Sequence, residues 1–181
     1  MLVGAPGTGK SYLARRLAAE LSAQLIATDR VRRLLFAEPR YTGGEHAAVY
    51  GWCHTLIHSA LRTGHSVVFD ATNLLEQRRR RVYNIVDSCQ VELLIVWTTC
   101  PPRVVQERLL RRRDTFDPDE EDVSEADWDV YLELRRKVEP IRRPHVIVNT
   151  SSDLGTVVRR LLDRLRVAQA DQAEVSGPGA G

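Results

Sequence analysis

Along the chain, short apolar runs of strand length alternate with longer stretches whose apolar positions recur at helical spacing. The strand-like runs are Leu2-Val3, Leu25-Ile26-Ala27, Ser66 to Asp70, Val91 to Trp97 and His145 to Val148. The run over 91–97 is nearly continuous, as a strand buried on both faces requires. The first helical pattern carries Leu13, Ala14, Leu17, Ala18 and Leu21. A short amphipathic segment, Arg30 to Phe36, is closed by Pro39. A helix over 45–62, with Ala48, Cys53, Leu56, Ile57 and Leu61 on its apolar side, is ended by Gly64. Asn73 and Glu76 stand at capping-box spacing ahead of a helix with Val82, Ile85 and Val86. Pro101-Pro102 opens the next, through Val104, Val105 and Leu109. Ser124 caps a helix with Trp128, Leu132 and Val138 that breaks before Pro140, and Ser152 caps a last one with Leu154, Val158, Leu161, Leu162 and Leu165.

Five strand–helix units in this order predict an α/β chain, a three-layer α/β/α sandwich around a parallel five-stranded sheet. Length fits one domain over about 1–167, and the small polar residues 168–181 predict a disordered tail. Only Met1 to Val3 precede the first loop, fewer than a central strand usually has, so the expectation includes an N-terminal extension or a fused domain.

The most informative stretch is Gly4-Ala5-Pro6-Gly7-Thr8-Gly9-Lys10-Ser11, which matches the Walker A pattern G-x-x-x-x-G-K-[ST] at every fixed position. Glycines let successive N–H groups turn inward around a phosphate, and the helix that starts near Lys10 adds the positive end of its dipole. Lys10 is expected on the β- and γ-phosphates and the Ser11 hydroxyl on Mg²⁺. Together with Tyr12, these residues are the candidate ATP-binding set. The strand–loop–helix context makes the match a P-loop rather than a glycine-rich turn.

Two acids end apolar runs, where open α/β sheets place their ligands. Asp29 is either a base for an attacking hydroxyl or a cap for the segment that follows. Asp70 is expected to orient Mg²⁺ or its water. A basic helix end, Arg108 to Arg113, runs into acidic Asp114 to Asp122, a pattern expected of a closing lid over about 108–123. Arg108 and Arg112 are four apart, hence on one helix face, and are expected to neutralise phosphate charge; ion pairs with the acidic stretch are the alternative. Arg78-Arg79-Arg80-Arg81 reads as a solvated helix face with one or two arginines at the mouth of the site. His54 and His58 have metal-binding spacing without further ligands nearby, which favours a structural role.

Composition changes this picture little. The net charge is +2, from 26 basic and 24 acidic residues, which gives no nucleic-acid signature. Lys10 and Lys137 are the only lysines. Three scattered cysteines without a CxxC pair fit reduced thiols in a cytoplasmic protein, and no apolar run is long enough for a membrane span.

With these motifs placed, the chain resembles P-loop kinases of the polynucleotide kinase-like group, also labelled AAA-type ATPases. The likeness runs from about Leu2 to Leu165. It rests on the loop 4–11, then Thr28-Asp29-Arg30-Val31-Arg32, Val68-Phe69-Asp70-Ala71-Thr72-Asn73, and Gln106-Glu107-Arg108 through Arg113. The resemblance implies the P-loop kinase fold, Asp29 as general base, Arg32 on the acceptor, Asp70 as the acid after the third strand, and Arg108 and Arg112 as lid arginines. It moves Asp29 from cap to catalysis. The expected activity is transfer of the ATP γ-phosphoryl group, with Mg²⁺, to the hydroxyl of a small polar substrate. An arginine beside the base suits an anionic or strongly polar acceptor, with Tyr41, His46 and Tyr50 within reach. The rival readings are a 5′-hydroxyl polynucleotide kinase, disfavoured by the weak net charge, and a nucleotide-binding regulatory ATPase.

Overall fold

The computed structural model describes residues 1–114 and 126–175. In chain order the elements are β1 (Leu2–Val3), α1 (Lys10–Glu20), β2 (Gln24–Ala27), α2 (Thr28–Leu35), α3 (Gly43–Arg62), β3 (Val67–Asp70), α4 (Glu76–Cys89), β4 (Val96–Thr99), α5 (Pro102–Asp114), α6 (Trp128–Arg136), β5 (Val146–Asn149) and α7 (Leu154–Val175).

Regular strand pairing falls into two ladders. The two residues of β1 pair with β4 in parallel, Leu2 against Val96 and Val3 against Trp97, and β4 pairs in parallel with β5. β2 and β3 form a second parallel ladder. The single five-stranded sheet expected from the sequence is therefore corrected to a three-stranded ladder, β1-β4-β5, and a two-stranded one, β2-β3. Two bonds join them in place of a regular ladder: the Gly4 N–H donates to the Thr72 carbonyl at 3.0 Å, and the Asn73 Nδ2 donates to the Leu2 carbonyl at 2.8 Å. Asn73 is wholly buried and holds a positive φ of 46°, a conformation asparagine tolerates better than most residues. It stitches β1 to the segment after β3, and Leu75 rather than Asn73 occupies the cap position of α4.

The strand expected over 91–97 lies further on, at 96–99. The paired register begins at Val96, opposite Leu2 and Val146, and the carbonyls of Leu94 and Ile95 lead into it by accepting from the Met1 amino group (2.8 Å) and the Val146 N–H (2.9 Å). Helix ends also differ. α3 begins at Gly43, because the Thr42 side chain accepts from the Glu45 N–H. Asp127 caps α6, and the expected cap Ser124 lies outside the described residues. Asp153, not Ser152, receives the N–H groups of Gly155 and Thr156 at the start of α7. The backbone of α7 stays helical to Val175, eight residues past the expected boundary at 167, and 176–181 lie outside the described residues.

Helices cover both sheet faces. Neighbouring strand residues divide between two cores, as the period of two demands. Val3 and Phe69 pack with Val49, Cys53, Ile57, Val82 and Val86 of α3 and α4; Leu2 and Val68 pack with Leu13, Leu17, Val158 and Leu161 of α1 and α7. A third, smaller cluster sets Val105 and Leu109 of α5 and Tyr131 of α6 against Ala5.

The arginine run departs from expectation at its second member. Arg79 is wholly buried. Nη1 donates to the carbonyls of Asn73 (2.9 Å) and Leu74 (2.7 Å), Nη2 to those of Glu139 (2.9 Å) and Pro140 (2.8 Å), and Nε to Glu76 (3.0 Å). One guanidinium thus ties the start of α4 to the strand-end turn and to the chain after α6. Arg79→Ala strands four carbonyls and the Glu76 carboxylate together, and should cost about 3–5 kcal/mol, the range for breaking a buried ion pair. Urea unfolding of this variant beside Arg80→Ala, which removes only a 3.8 Å exposed pair, checks that figure.

Candidate active site

The phosphate loop rises directly out of β1 and is fixed before any side chain acts. Gly4 has φ 157°, and a Cβ there would lie 2.3 Å from the Thr98 Oγ1 of β4. Gly7 has φ 73°, and its Cβ would lie 2.7 Å from Val105 Cγ1 of α5. Both positions need a positive φ and a bare backbone, one against the sheet and one against the helix. Residues 4–8 are buried, Gly9 leads into α1 at φ 80°, and α1 directs its N-terminus at the concave side of the loop.

Hydroxyls brace this turn. Thr8 Oγ1 donates to the Ala5 carbonyl at 2.8 Å and lies 2.9 Å from Thr98 Oγ1. From the end of β5, Thr150 Oγ1 donates to the Thr8 carbonyl at 2.7 Å. Arg108 of α5 closes the chain of contacts, donating from Nη1 to Thr150 Oγ1 at 3.1 Å and from Nη2 to the Thr150 carbonyl at 2.8 Å. Arg108 therefore stands beside the loop, against Gly9, and is engaged with β5.

The charged groups converge on Lys10. It is buried, and its Nζ donates to the Ala5 carbonyl at 3.0 Å. Burial lowers its pKa, the nearby charges of Asp70 and Asp29 oppose that shift, and Arg112 adds to it. Asp70 is buried at the end of β3, where desolvation raises its carboxyl above the usual range. Lys10 and a hydrogen bond from Ser11 pull it back. Ser11 and Asp70 thus already form the hydroxyl–carboxylate pair to which a Mg²⁺ ion fits, and the glycine cradle with buried Lys10 fits a triphosphate. Asp29 sits in the first turn of α2, half-buried. Arg32, one turn on, is buried and reaches α3: Nη2 lies 3.0 Å from His46 Nδ1, and Nη1 lies 3.4 Å from Glu45 Oε2. The fold brings Lys10, Ser11, Asp29, Asp70 and Arg112 into one electrostatic neighbourhood. Residues 115–123 of the expected lid lie outside the described residues, and 108–114 belong to α5.

Tyr12 is 47% exposed and, with Arg16, Arg108 and the 150–155 turn, lines a pocket of roughly 540 Å³ beside the loop. The turn after β5 escaped the sequence reading. Its signal was the polar run Asn149 to Asp153 directly after a strand, at the edge where α/β sheets bind ligands. Of the histidine pair, His54 packs on Tyr50 and Phe69, and His58 is exposed.

Lys10→Ala should weaken ATP affinity roughly 10- to 100-fold, the equivalent of a charged hydrogen bond of about 1.5–3 kcal/mol, without unfolding the chain. Titration with a fluorescent ATP analogue measures it. Asp70→Asn should behave oppositely in two assays. A raised folded-state pKa means that the ionised carboxylate costs stability at neutral pH, so the apo variant should be at least as stable as wild type. Mg²⁺-dependent nucleotide binding should nevertheless fall.

Comparison with known proteins bears on the family and the fold. A family model described as an AAA domain matches residues 1–141. The uncharacterized protein Rv2004c of Mycobacterium tuberculosis is 40% identical over 81 residues, 38% of this chain but 16% of that protein, so the match spans about a sixth of the relative's length. Among solved structures, the M. tuberculosis APS kinase CysC in complex with AMPPNP and APS superposes with a TM-score of 0.69 at 15% identity, covering 91% of this chain and 95% of that one. A gluconokinase from Sinorhizobium meliloti 1021 gives 0.67 at 19% identity over 97% and 95%. Kti12 of Chaetomium thermophilum in complex with ADP-AlF3 gives 0.63 at 17% over 90% and 96%. At these identities the structures establish the fold, that of the P-loop kinases. On the match across residues 1–141, the chain belongs to the AAA domain family, in the form of a P-loop kinase-like protein.

Proposed function

We propose that this protein is an ATP- and Mg²⁺-dependent kinase that phosphorylates a hydroxyl group of a small polar substrate. The observation that carries the proposal is the convergence on one ammonium: Asp70 from β3, Asp29 from α2 and Arg112 from α5 all act on Lys10. A phosphate site needs Lys10, Ser11 and Asp70. It does not need Asp29, whose place beside them gives the site a base for a second reactant.

The division of labour follows from position. The loop amides and Lys10 would hold the phosphates, Ser11 and Asp70 the Mg²⁺, and the pocket lined by Tyr12 and the 150–155 turn the nucleoside. Bound ATP with Mg²⁺ supplies an electrophilic γ-phosphoryl group with its charge partly neutralised. Lys10 exchanges its bond to the Ala5 carbonyl for phosphate oxygen. Asp29 accepts the proton of the acceptor hydroxyl as that oxygen forms its bond to phosphorus, and ADP departs with the electron pair of the broken bond. Arg112 adds positive charge where the leaving oxygens gain negative charge. Arg108 orders the turn after β5, fixing the nucleoside side of the site. The neighbouring gluconokinase and APS kinase are enzymes whose names carry this chemistry, which supports the same reaction type here.

Asp29→Asn discriminates between a kinase and a nucleotide-hydrolysing switch. Acceptor-dependent ADP release, screened over a panel of hydroxyl compounds, should fall about 10²- to 10⁴-fold, the range for a general base, while ATP affinity changes little. Equal turnover of the variant would assign Asp29 to helix capping alone.

A further inference from the structure

Between Glu45 and Arg62, α3 carries no Asp, Glu, Lys or Arg, in a chain of which 28% is charged. Its inner side accounts for part of that composition, since Val49, Tyr50, Cys53, Ile57 and Ala60 are buried. The rest lies outside. Ala48 and Leu56, expected on the apolar side, face outward with Gly51, Trp52, Thr55 and Ser59. Trp52 is 54% exposed and Leu56 42%. Other helices turn charges to solvent: Arg15 and Glu20 on α1, Arg80 and Asp87 on α4, Glu133 and Arg136 on α6. A helix that is apolar on every side is the pattern of a buried element. The fold covers α3 on one side only.

The outward residues form one face. Ala48, Trp52, Thr55, Leu56 and Ser59 fall within about 100° of one another around the helix axis. The sequences outside the described residues are unsuited to cover it. Residues 115–125 are dominated by acids, and 176–181 read Ser-Gly-Pro-Gly-Ala-Gly, with no large apolar side chain.

A second copy of the same helix suits the face. In an antiparallel pairing centred between Cys53 and His54, Trp52 stands level with Thr55 of the second copy, Leu56 with Gly51, and Ala48 with Ser59. Large residues therefore fall opposite small ones, which lets two helix axes approach to about 8 Å. The same register sets Arg62 level with Glu45, the two charges that bound the face. Among the described residues Arg62 has no carboxylate partner, and Glu45 has Arg32 alone as counter-charge, at 3.4 Å. A parallel pairing would instead set Arg62 against Arg62 and align the two helix dipoles, both unfavourable.

We infer that the outward face of α3 is the contact surface of a two-fold homodimer, with Trp52 near its centre. The contact is isologous, each copy giving the same patch. It is independent of the kinase reading, which concerns the other side of the helix. One helix pair about 30 Å long makes a small interface, so the dissociation constant should be of micromolar order.

Sedimentation of the full 181-residue chain across a micromolar concentration series tests this, and should show a monomer–dimer equilibrium. Trp52→Glu should raise the dissociation constant at least about tenfold. Ala48→Arg, at an exposed position where arginine suits a helix, should do the same and keeps the test open if the first variant folds poorly. Leu110→Glu, at a leucine of α5 that is 54% exposed, should match wild type. Register is read separately. A mixture of Ala48→Cys and Ser59→Cys, mildly oxidised, should give a mixed disulfide identified by mass spectrometry. Ala48→Cys alone should not cross-link to itself, because its two copies stand about 16 Å apart. A chain monomeric throughout the series overturns the inference. So does a dimer as tight in both variants as in wild type, or one that lacks the mixed disulfide. A monomer that sediments with phosphatidylglycerol vesicles, and loses that binding in Trp52→Glu, assigns the face to a lipid surface and overturns it equally.

Discussion

The structure depends on the double attachment of a two-residue strand. Leu2 and Val3 are buried between two ladders, paired regularly with β4 on one side and held on the other by Asn73 and by the Gly4–Thr72 bond. The phosphate loop starts at the next residue, so its position is set by these few bonds and by the core on each face. Side chains share in registering the loop. Thr98 reaches the Val3 carbonyl at 3.2 Å and touches Thr8, and Thr150 reaches the Thr8 carbonyl. The loop is thus clamped from β4 and β5 at once. A substitution at Thr98 would act on the geometry of the loop from within the sheet.

Within that frame, Lys10 and Asp70 are buried together, each opposing the desolvation of the other. Burial disfavours both charged forms, and their mutual attraction, the Ser11 bond and the charges of Asp29 on Lys10 and of Arg15 on Asp70 oppose it. A bound phosphate and metal would compensate both charges far better than the residues compensate each other. The resting site is therefore held in a costly state that ligand relieves, a common way for binding energy to be prepared in advance.

Arginine takes most of the remaining polar work, in a chain where lysine is nearly absent. The same side chain serves as scaffold at Arg79, as a brace between α5 and β5 at Arg108, as a link from α2 to His46 of α3 at Arg32, and as a cover for the Tyr50 ring at Arg78. Its planar fork explains the range, because five fixed donors can satisfy several carbonyls or grip one oxyanion. Arg78 and Arg79 are adjacent in sequence and have opposite fates, since a helix turns consecutive side chains about 100° apart.

The sequence by itself determined the element order, the α/β class and the phosphate loop. These depend on local periods and on glycine spacing, which a linear reading can see. It also singled out Asp29 and Asp70, because strand ends are recognisable and α/β sheets bind ligands there. Only the tertiary structure decided that β4 begins at Val96, since a strand needs partners and the register starts with Val96 opposite Leu2 and Val146. Only it separated Asn73 the stitch from Asn73 the cap, and Arg79 the buried hub from its solvated neighbours. Each of those distinctions turns on a contact across more than fifty residues of chain, such as Asn73 with Leu2 or Arg79 with Glu139, and side-chain type and spacing carry no record of what lies opposite.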